Sequence, residues 1–237
     1  MMHITIQKKE GSSIMNEIIR KRKSIRRYDP EPLSDEIIEK IKERISLVKP
    51  LYTDIRYSIN ITNKTKGMFG VTAPHYLIFY SEQKEGYLEN TGFVGQQMSL
   101  YFSQNNIGSC WFGMAKPTES GKYPFVICMA FGKAAEPLYR DFSDFKRKTL
   151  SEISEGSDER LESARLAPSG MNAQNWYFIA ENNMIHCYTK KGVSSKLGYI
   201  DMGIALAHIA EESEEFSFKK VNTPTERKKY VYIGTVC

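Results

Sequence analysis

The feature that most restricts this 237-residue chain is an order of elements that occurs twice. Ser34-Asp35-Glu36-Ile37-Ile38-Glu39 is echoed by Ser157-Asp158-Glu159-Arg160-Leu161-Glu162, and His75-Tyr76-Leu77-Ile78 by Trp176-Tyr177-Phe178-Ile179. Phe93-Val94-Gly95-Gln96-Gln97-Met98-Ser99-Leu100 is echoed by Tyr199-Ile200-Asp201-Met202-Gly203-Ile204-Ala205-Leu206, and Phe125-Val126-Ile127-Cys128 by Tyr230-Val231-Tyr232-Ile233. Each half reads helix, strand, helix, strand, which points to a duplicated α+β unit with a first half at 1–150 and a second at 151–237. The spacing between the first and second echoes is about 22 residues longer in the first half. The surplus lies in the irregular, polar stretch Val48–Thr72.

Local signals fill in the elements. A helix is expected over Ser13–Lys21, closed by Arg20 and Lys21, before Asp29-Pro30-Glu31-Pro32 breaks the chain. Ser34 is a good N-cap for the next helix, with Asp35 and Glu36 in its first turn and Ile37, Ile38, Ile41 and Ile45 as its apolar stripe. Tyr76–Tyr80 reads as a strand and Phe93–Asn105 as a helix. Phe125–Phe131 reads as a central strand stopped by Gly132. Ser157–Ala164 reads as helical, and the aromatic run from Trp176 as a buried strand.

Composition excludes several classes. With 41% apolar and 26% charged residues the chain matches ordinary globular proteins. Its longest apolar run is well short of the ~20 residues that span a bilayer, and the N-terminus offers no secretory stretch. Cys110, Cys128, Cys187 and Cys237 are widely separated, with no paired metal-ligand spacing, so reduced thiols, no metal site and a cytoplasmic location are expected. The net charge of +5 suits nucleic acid or a phosphate-bearing cofactor.

Two remote stretches carry polar groups dense enough for binding. Arg165-Leu166-Ala167-Pro168-Ser169-Gly170-Met171-Asn172-Ala173-Gln174-Asn175-Trp176 joins a helix to a strand through a loop of hydroxyls, amides and backbone N–H groups, where Gly170 permits close approach. It suits a flat heterocycle, or is a polar turn without a ligand. In Arg22-Lys23-Ser24-Ile25-Arg26, an extended backbone would set Arg22, Ser24 and Arg26 on one face, roughly 7 Å apart. Such a row binds a phosphate, although a solvated helix end or a nucleic-acid patch uses the same residues. Lys146-Arg147-Lys148 is a second basic cluster. Gly108 and Gly113 have Walker-loop spacing, but Met114-Ala115 replaces the Lys-Ser/Thr that phosphate chemistry needs. Ile107–Met114 then reads as a wall for a planar ring or as a packing corner around Trp111 and Phe112. No catalytic nucleophile or base set assembles: there is no G-x-S-x-G, no H-E-x-x-H and no Rossmann fingerprint. An enzyme built this way would leave its chemistry to a bound cofactor.

Together these stretches resemble the flavin-dependent nitroreductase family over nearly the whole chain. Arg22-Lys23-Ser24-Ile25-Arg26-Arg27-Tyr28 is similar to its R-R-S-x-R-x-F/Y motif, and Ala164–Trp176 to its A-R-x-A-P-S-x-x-N-x-Q-P-W motif, with Asn175 in place of the proline. Gly95-Gln96 through Gly113 resembles its long helix and ring-facing loop. The order differs, because the A-P-S-x-x-N-x-Q loop here follows the last strand of the first half. The family forms homodimers with FMN at the interface, so the resemblance implies a single chain that mimics the dimer, with an antiparallel-rich sheet flanked by helices, and a monomer in solution. It implies Arg22, Lys23 and Ser24 toward the FMN phosphate and ribityl chain, and Arg26 toward the N1/O2 edge. Pro168, Ser169, Gly170, Asn172 and Gln174 would come from the second half. Trp111, Phe112 and Gly113 would pack on the ring, and Lys146, Arg147 and Lys148 would cover the phosphate. The implied activity is ping-pong reduction of a nitroaromatic, quinone or other conjugated small-molecule acceptor by NAD(P)H, without nucleic acid or membrane.

Two rivals share part of this pattern. A non-catalytic FMN carrier has the same binding motifs but a ring face closed, for instance by Tyr52 or Met68-Phe69. A nucleic-acid module explains the basic N-terminus and leaves the amide-rich loop unexplained.

Overall fold

The computed structural model describes residues 6–7, 12–66, 71–192, 195–222 and 224–237. The first half runs α1 (Ser12–Lys21), α2 (Asp35–Leu47), β1 (Tyr57–Thr62), β2 (His75–Ser81), α3 (Tyr87–Gln104), β3 (Gly108–Phe112) and β4 (Phe125–Gly132). Ser34 stands at the N-terminus of α2 with Asp35 and Glu36 in the first turn, and the helix stops where Val48 turns extended, two residues before Pro50. The strands form one antiparallel sheet in the order β1-β2-β4-β3. β2 is buried at every position, which explains a continuous apolar run where one-sided strands alternate.

The second half runs α4 (Leu150–Ile153), β5 (Ser154–Glu155), α5 (Arg160–Leu166), β6 (Trp176–Glu181), β7 (Met184–Lys190), α6 (Ser195–Glu212), β8 (Phe218–Lys219) and β9 (Tyr230–Val236). Its sheet has the order β5-β6-β7-β9-β8, antiparallel apart from β5 on β6. Asn182 and Asn183, both with positive φ, turn β6 into β7 in the twisted geometry that two-residue hairpins need.

Setting β5 aside, each sheet contains a first strand, a second strand, a long helix, a third strand and a fourth, arranged first-second-fourth-third. The strand that occupies the place of His75–Ser81 is therefore Met184–Lys190, and Trp176–Glu181 corresponds to Tyr57–Thr62. The sequence echo of His75 with Trp176 thus sets a second strand against a first, because the expected elements include neither Tyr57–Thr62 nor Met184–Lys190. Gly108–Phe112, expected as a loop, is a strand bonded to β4. Helix α3 begins six residues ahead of the expected Phe93, after Gly86 in a left-handed conformation.

The two 18-residue helices α3 and α6 pack against each other between the sheets, and both are buried almost all round, so neither shows an amphipathic stripe. Their closest approach is made by two glycines. A Cβ at Gly92 would overlap the Ile200 carbonyl oxygen, and a Cβ at Gly203 would overlap the Glu89 carbonyl oxygen. No helix among the described residues is long and apolar enough to cross a membrane.

Gly92→Ala and Gly203→Ala should each force this crossing apart and destabilise by about 1–3 kcal/mol. Since both act on one contact, the double variant should lose less than the two losses added, measured by denaturant unfolding. Full additivity would mean that the glycines do not share a packing constraint.

Candidate functional site

The basic segment after α1 is pinned from beneath and from one side. Its backbone bridges to the 134–139 strip at Arg22↔Tyr139 and Tyr28↔Ala134. Ile25 donates its N–H to Ser109 O at 3.0 Å and is fully buried. Glu136 accepts from the N–H of Arg26 (2.8 Å) and Arg27 (3.2 Å) and from Lys23 Nζ (3.4 Å). The expected single face for Arg22, Ser24 and Arg26 is not formed. With only isolated bridges to hold it, the chain turns so that Arg22 and Ile25 point inward while Arg26 is exposed.

Arg22 is the largest charged side chain in the interior, at 2% exposure. Burial and the nearby Arg140 and Arg147 pull its pKa down to about 9, and burial with Arg140 pulls Arg147 to about 10. Arg140 donates through Nε to Arg22 O (3.1 Å) and lies 4.3 Å over the Phe145 ring. Arg147 donates to Asn172 Oδ1 (2.6 Å) and Leu166 O (3.3 Å). Among the described residues none of these three arginines, nor Arg26, has a carboxylate ion-pair partner. Nε and Nη1 of Arg22 and Nε of Arg147 are buried without an acceptor. Buried donors left unmade are costly, so this cluster calls for oxygen-rich anionic acceptors.

Such an anion has a place to go. A cleft of roughly 630 Å³ is lined from the first half by Lys23, Ser24 and Arg26, from the connecting strip by Glu136, Arg140 and Asp144, and by Lys146 and Arg147. Pro168, Ser169, Met171 and Asn172 close its far wall. The two remote stretches singled out in the sequence therefore meet across one cavity.

That far wall is held by its own polar groups. Asn172 donates to Lys146 O (2.7 Å), Gln174 Oε1 accepts from Lys148 N–H (2.8 Å), and the Gln174 N–H donates to Ser169 Oγ (3.0 Å). Lys148 Nζ donates to the carbonyls of Ala173 and Gln174, both at 3.1 Å, so its ammonium closes the loop while Lys146 and Arg147 face the cleft. Met171, Asn172 and Gln174 all adopt positive φ, a concentration of left-handed non-glycine residues that persists because so many bonds fix the loop. Beneath it, the buried Asp201 accepts the Gly170 N–H at 2.9 Å, and burial raises its carboxyl to about 7.

Trp111, Phe112 and Gly113 are not among the residues lining the cleft. Trp111 stacks on Phe79 (5.5 Å between centroids) and donates to Gln96 Oε1 (3.1 Å), while Phe112 packs with the cluster around Tyr76, Ile78 and Cys128. As part of strand β3, their side chains are used for packing. Gly113 is separated from the loop by one side chain: a Cβ there would lie 3.8 Å from Leu197, and one at Gly170 would lie 3.4 Å from it. Behind Trp111 runs a buried relay. His208 Nδ1 faces the Ser163 carbonyl (2.9 Å), so it carries the proton, and Nε2 accepts from the Gln96 amide (2.9 Å). Burial and the neighbouring arginines hold His208 neutral, with its pKa near 3. Sequence reasoning missed Glu136, Arg140, Asp201 and Leu197, which stand alone in ordinary contexts and carry no motif.

A family model and a solved structure that covers most of the chain identify the fold. The family model described as "Putative TM nitroreductase" matches residues 14–213. A solved "putative nitroreductase" from Thermotoga maritima superposes with a TM-score of 0.65 at 20% identity, covering 94% of this chain and 91% of its own. A nitroreductase family protein from Clostridium difficile (TM-score 0.48, 16% identity) covers 60% of this chain and 96% of its own. A "Putative NADH dehydrogenase/NAD(P)H nitroreductase" from Bacteroides thetaiotaomicron (0.48, 14%) covers 59% and 95%. No curated protein matches. The chain has the α+β nitroreductase fold.

Asp201 gives the site a pH signature in stability. Its folded pKa of about 7 lies above the 3.8 of an aspartate in the unfolded chain, so the folded state holds the extra proton and stability falls as pH rises between them. Asp201→Asn keeps an acceptor for the Gly170 N–H and cannot ionise. The variant should gain on wild type in melting temperature from pH 4.5 to pH 8; a pH-independent difference would contradict a buried, titrating carboxyl.

Proposed function

Because the chain belongs to the "Putative TM nitroreductase" family, we propose that it is an FMN-dependent NAD(P)H oxidoreductase acting on conjugated electrophiles such as nitroaromatics or quinones. The observation that carries this reading is the arginine cluster, whose buried, acceptor-less guanidinium nitrogens adjoin a cleft built from both motifs. Lys23, Ser24, Arg140, Lys146 and Arg147 would hold the phosphate, with Arg22 behind them adding positive potential. Arg26, with no carboxylate partner among the described residues, would serve the electron-rich edge of the ring, and the loop Pro168–Asn172 would close the far side. When bound, FMN supplies a ring that takes hydride from NAD(P)H and passes electrons to the acceptor that replaces it, a ping-pong sequence. The chain's own task is then to bind, orient and exclude water. No side chain is required as nucleophile or base, in agreement with the absent catalytic motifs. Trp111 and Phe112 are assigned no ring contact. They support the site through β3 and the Gln96 relay, and Gly113 remains the glycine beside Leu197 and the loop.

The shared strand order and the reciprocal glycine contacts support an internal duplication with a boundary near residue 150, so that one chain does the work of a homodimer. A single chain then suffices for a complete cleft, and we expect a monomer.

Purified protein should be yellow or take up one equivalent of FMN, and should oxidise NADPH in the presence of menadione. Arg147→Ala should weaken FMN binding about 10- to 100-fold by titration. A protein that binds FMN without turnover would favour the carrier reading, and one that binds none would end both.

A further inference from the structure

The fold contains a second corner built like the one under Gly170. A single numbering offset relates Gly92 to Gly203 and Glu89 to Ile200, and the two contacts at the helix crossing, Gly92–Ile200 and Gly203–Glu89, exchange under it. The same offset relates Asn90 on α3 to Asp201 on α6. Asp201 accepts the N–H of Gly170, two residues after Pro168; Asn90 Oδ1 accepts the N–H of Leu51 (2.7 Å) and of Tyr52 (3.0 Å), which follow Pro50. Lys49-Pro50-Leu51-Tyr52 therefore stands where Ala167-Pro168-Ser169-Gly170 stands in the other half. This is the loop copy that Val48–Thr72 conceals in the sequence.

The corners differ in which partner supplies bulk. At the candidate site the loop offers Gly170 and the helix offers Leu197. At the other corner the offset places Gly86 opposite Leu197, and the loop offers Tyr52, whose ring lies so close that a Cβ at Gly86 would overlap it. The ring is wedged edge-on against Phe218, 6.1 Å between centroids, and burial raises its hydroxyl pKa. What remains is a cavity of roughly 260 Å³ lined by Tyr52, Gly86, Glu89, Tyr199 and Tyr232. Asn90 is 1% exposed and its Nδ2 has no acceptor among the described residues. The cations that line it, Lys84 and Lys220, are each paired with a glutamate, Glu82 and Glu85.

We propose that this corner is a second ligand site closed by Tyr52, and that opening it admits a planar aromatic bearing a carbonyl acceptor and no phosphate. Both lysines that line the cavity already have glutamate partners, which leaves no free cation for a phosphate. The space the Tyr52 ring takes up against Gly86 is that of a ring, and the orphaned donor of Asn90, next to the cavity-lining Glu89, calls for a carbonyl oxygen. The equivalence of the corners is read from this chain's contacts, while the flavin chemistry of the Gly170 corner rests on the proposed function.

The test uses Tyr52→Gly, which restores the residue found at Gly170, and lumichrome, a flavin ring without ribityl phosphate. Calorimetric titration of FMN-saturated protein should show no lumichrome uptake by wild type and one equivalent taken up by the variant, with FMN stoichiometry unchanged. Asn90→Leu in the Tyr52→Gly background should weaken that uptake at least tenfold. A folded Tyr52→Gly protein that ignores lumichrome would overturn the proposal. Should that variant fail to fold, Tyr52→Leu removes part of the ring, and its failure to take lumichrome counts equally against. If no protein binds FMN, the same titration without FMN still decides the Tyr52 corner, since Tyr52→Gly must exceed wild type by one equivalent.

Discussion

The contact on which the rest depends is the crossing of α3 and α6 at Gly92 and Gly203. Two helices that meet backbone to backbone bring their N-terminal halves together, and each N-terminal half carries the side chain that anchors a loop: Asn90 on one, Asp201 on the other. Move the helices apart by the thickness of one methyl group and both anchors shift relative to the sheets behind them. The glycines thus set the position of the far wall of the cleft, although neither touches it.

The opposite wall is governed by electrostatics. The fold gathers Arg22, Arg140 and Arg147, with Phe145 against the last two, and among the described residues no carboxylate forms an ion pair with them; Asp144 acts on Arg140 only from further off. Glu136, which lines the same cleft, is occupied by two backbone N–H groups and Lys23. A protein interior tolerates depressed guanidinium pKa values where the missing counter-charge arrives with a ligand. Neutral His208 beside the cluster fits the same balance, because a second cation there would have no compensation.

How far these features could be read from the sequence depends on whether they are local. The basic segment and the Pro168–Gln174 loop announce themselves by density of polar groups, and their convergence followed from resemblance. The long helix, the central strand and Ser34 as a helix start were legible from periodicity and capping chemistry. Tyr57–Thr62 was not, because an edge strand with Ser58, Asn60 and Thr62 between half-buried apolar positions reads as polar coil. Trp111 and Phe112 pack within the sheet and do not line the cleft, and an aromatic pair next to glycines looks the same in sequence whether it faces a ligand or a sheet. Arg140 had no signal at all: its role arises only when the chain folds back onto Arg22.

Tyr52 and Gly170 show why one loop copy was visible and the other was not. A loop that must admit a ligand keeps small and polar residues, since any bulk would fill the space, and that constraint is what makes a motif. A loop whose corner has closed keeps only what holds the chain in place, here Pro50 and the backbone N–H groups that bond to Asn90. Anchoring through backbone donors leaves no residue-type trace at the anchored positions, so Lys49–Tyr52 can share the geometry of Ala167–Gly170 with little in common but the proline. Asparagine at 90 suffices for that anchoring alone. The carboxyl at 201 performs the same task with a titratable group, at a buried position that favours its neutral form well above the usual carboxylate range. The two halves thus share one strand order and differ where chemistry, rather than packing, suits the side chain.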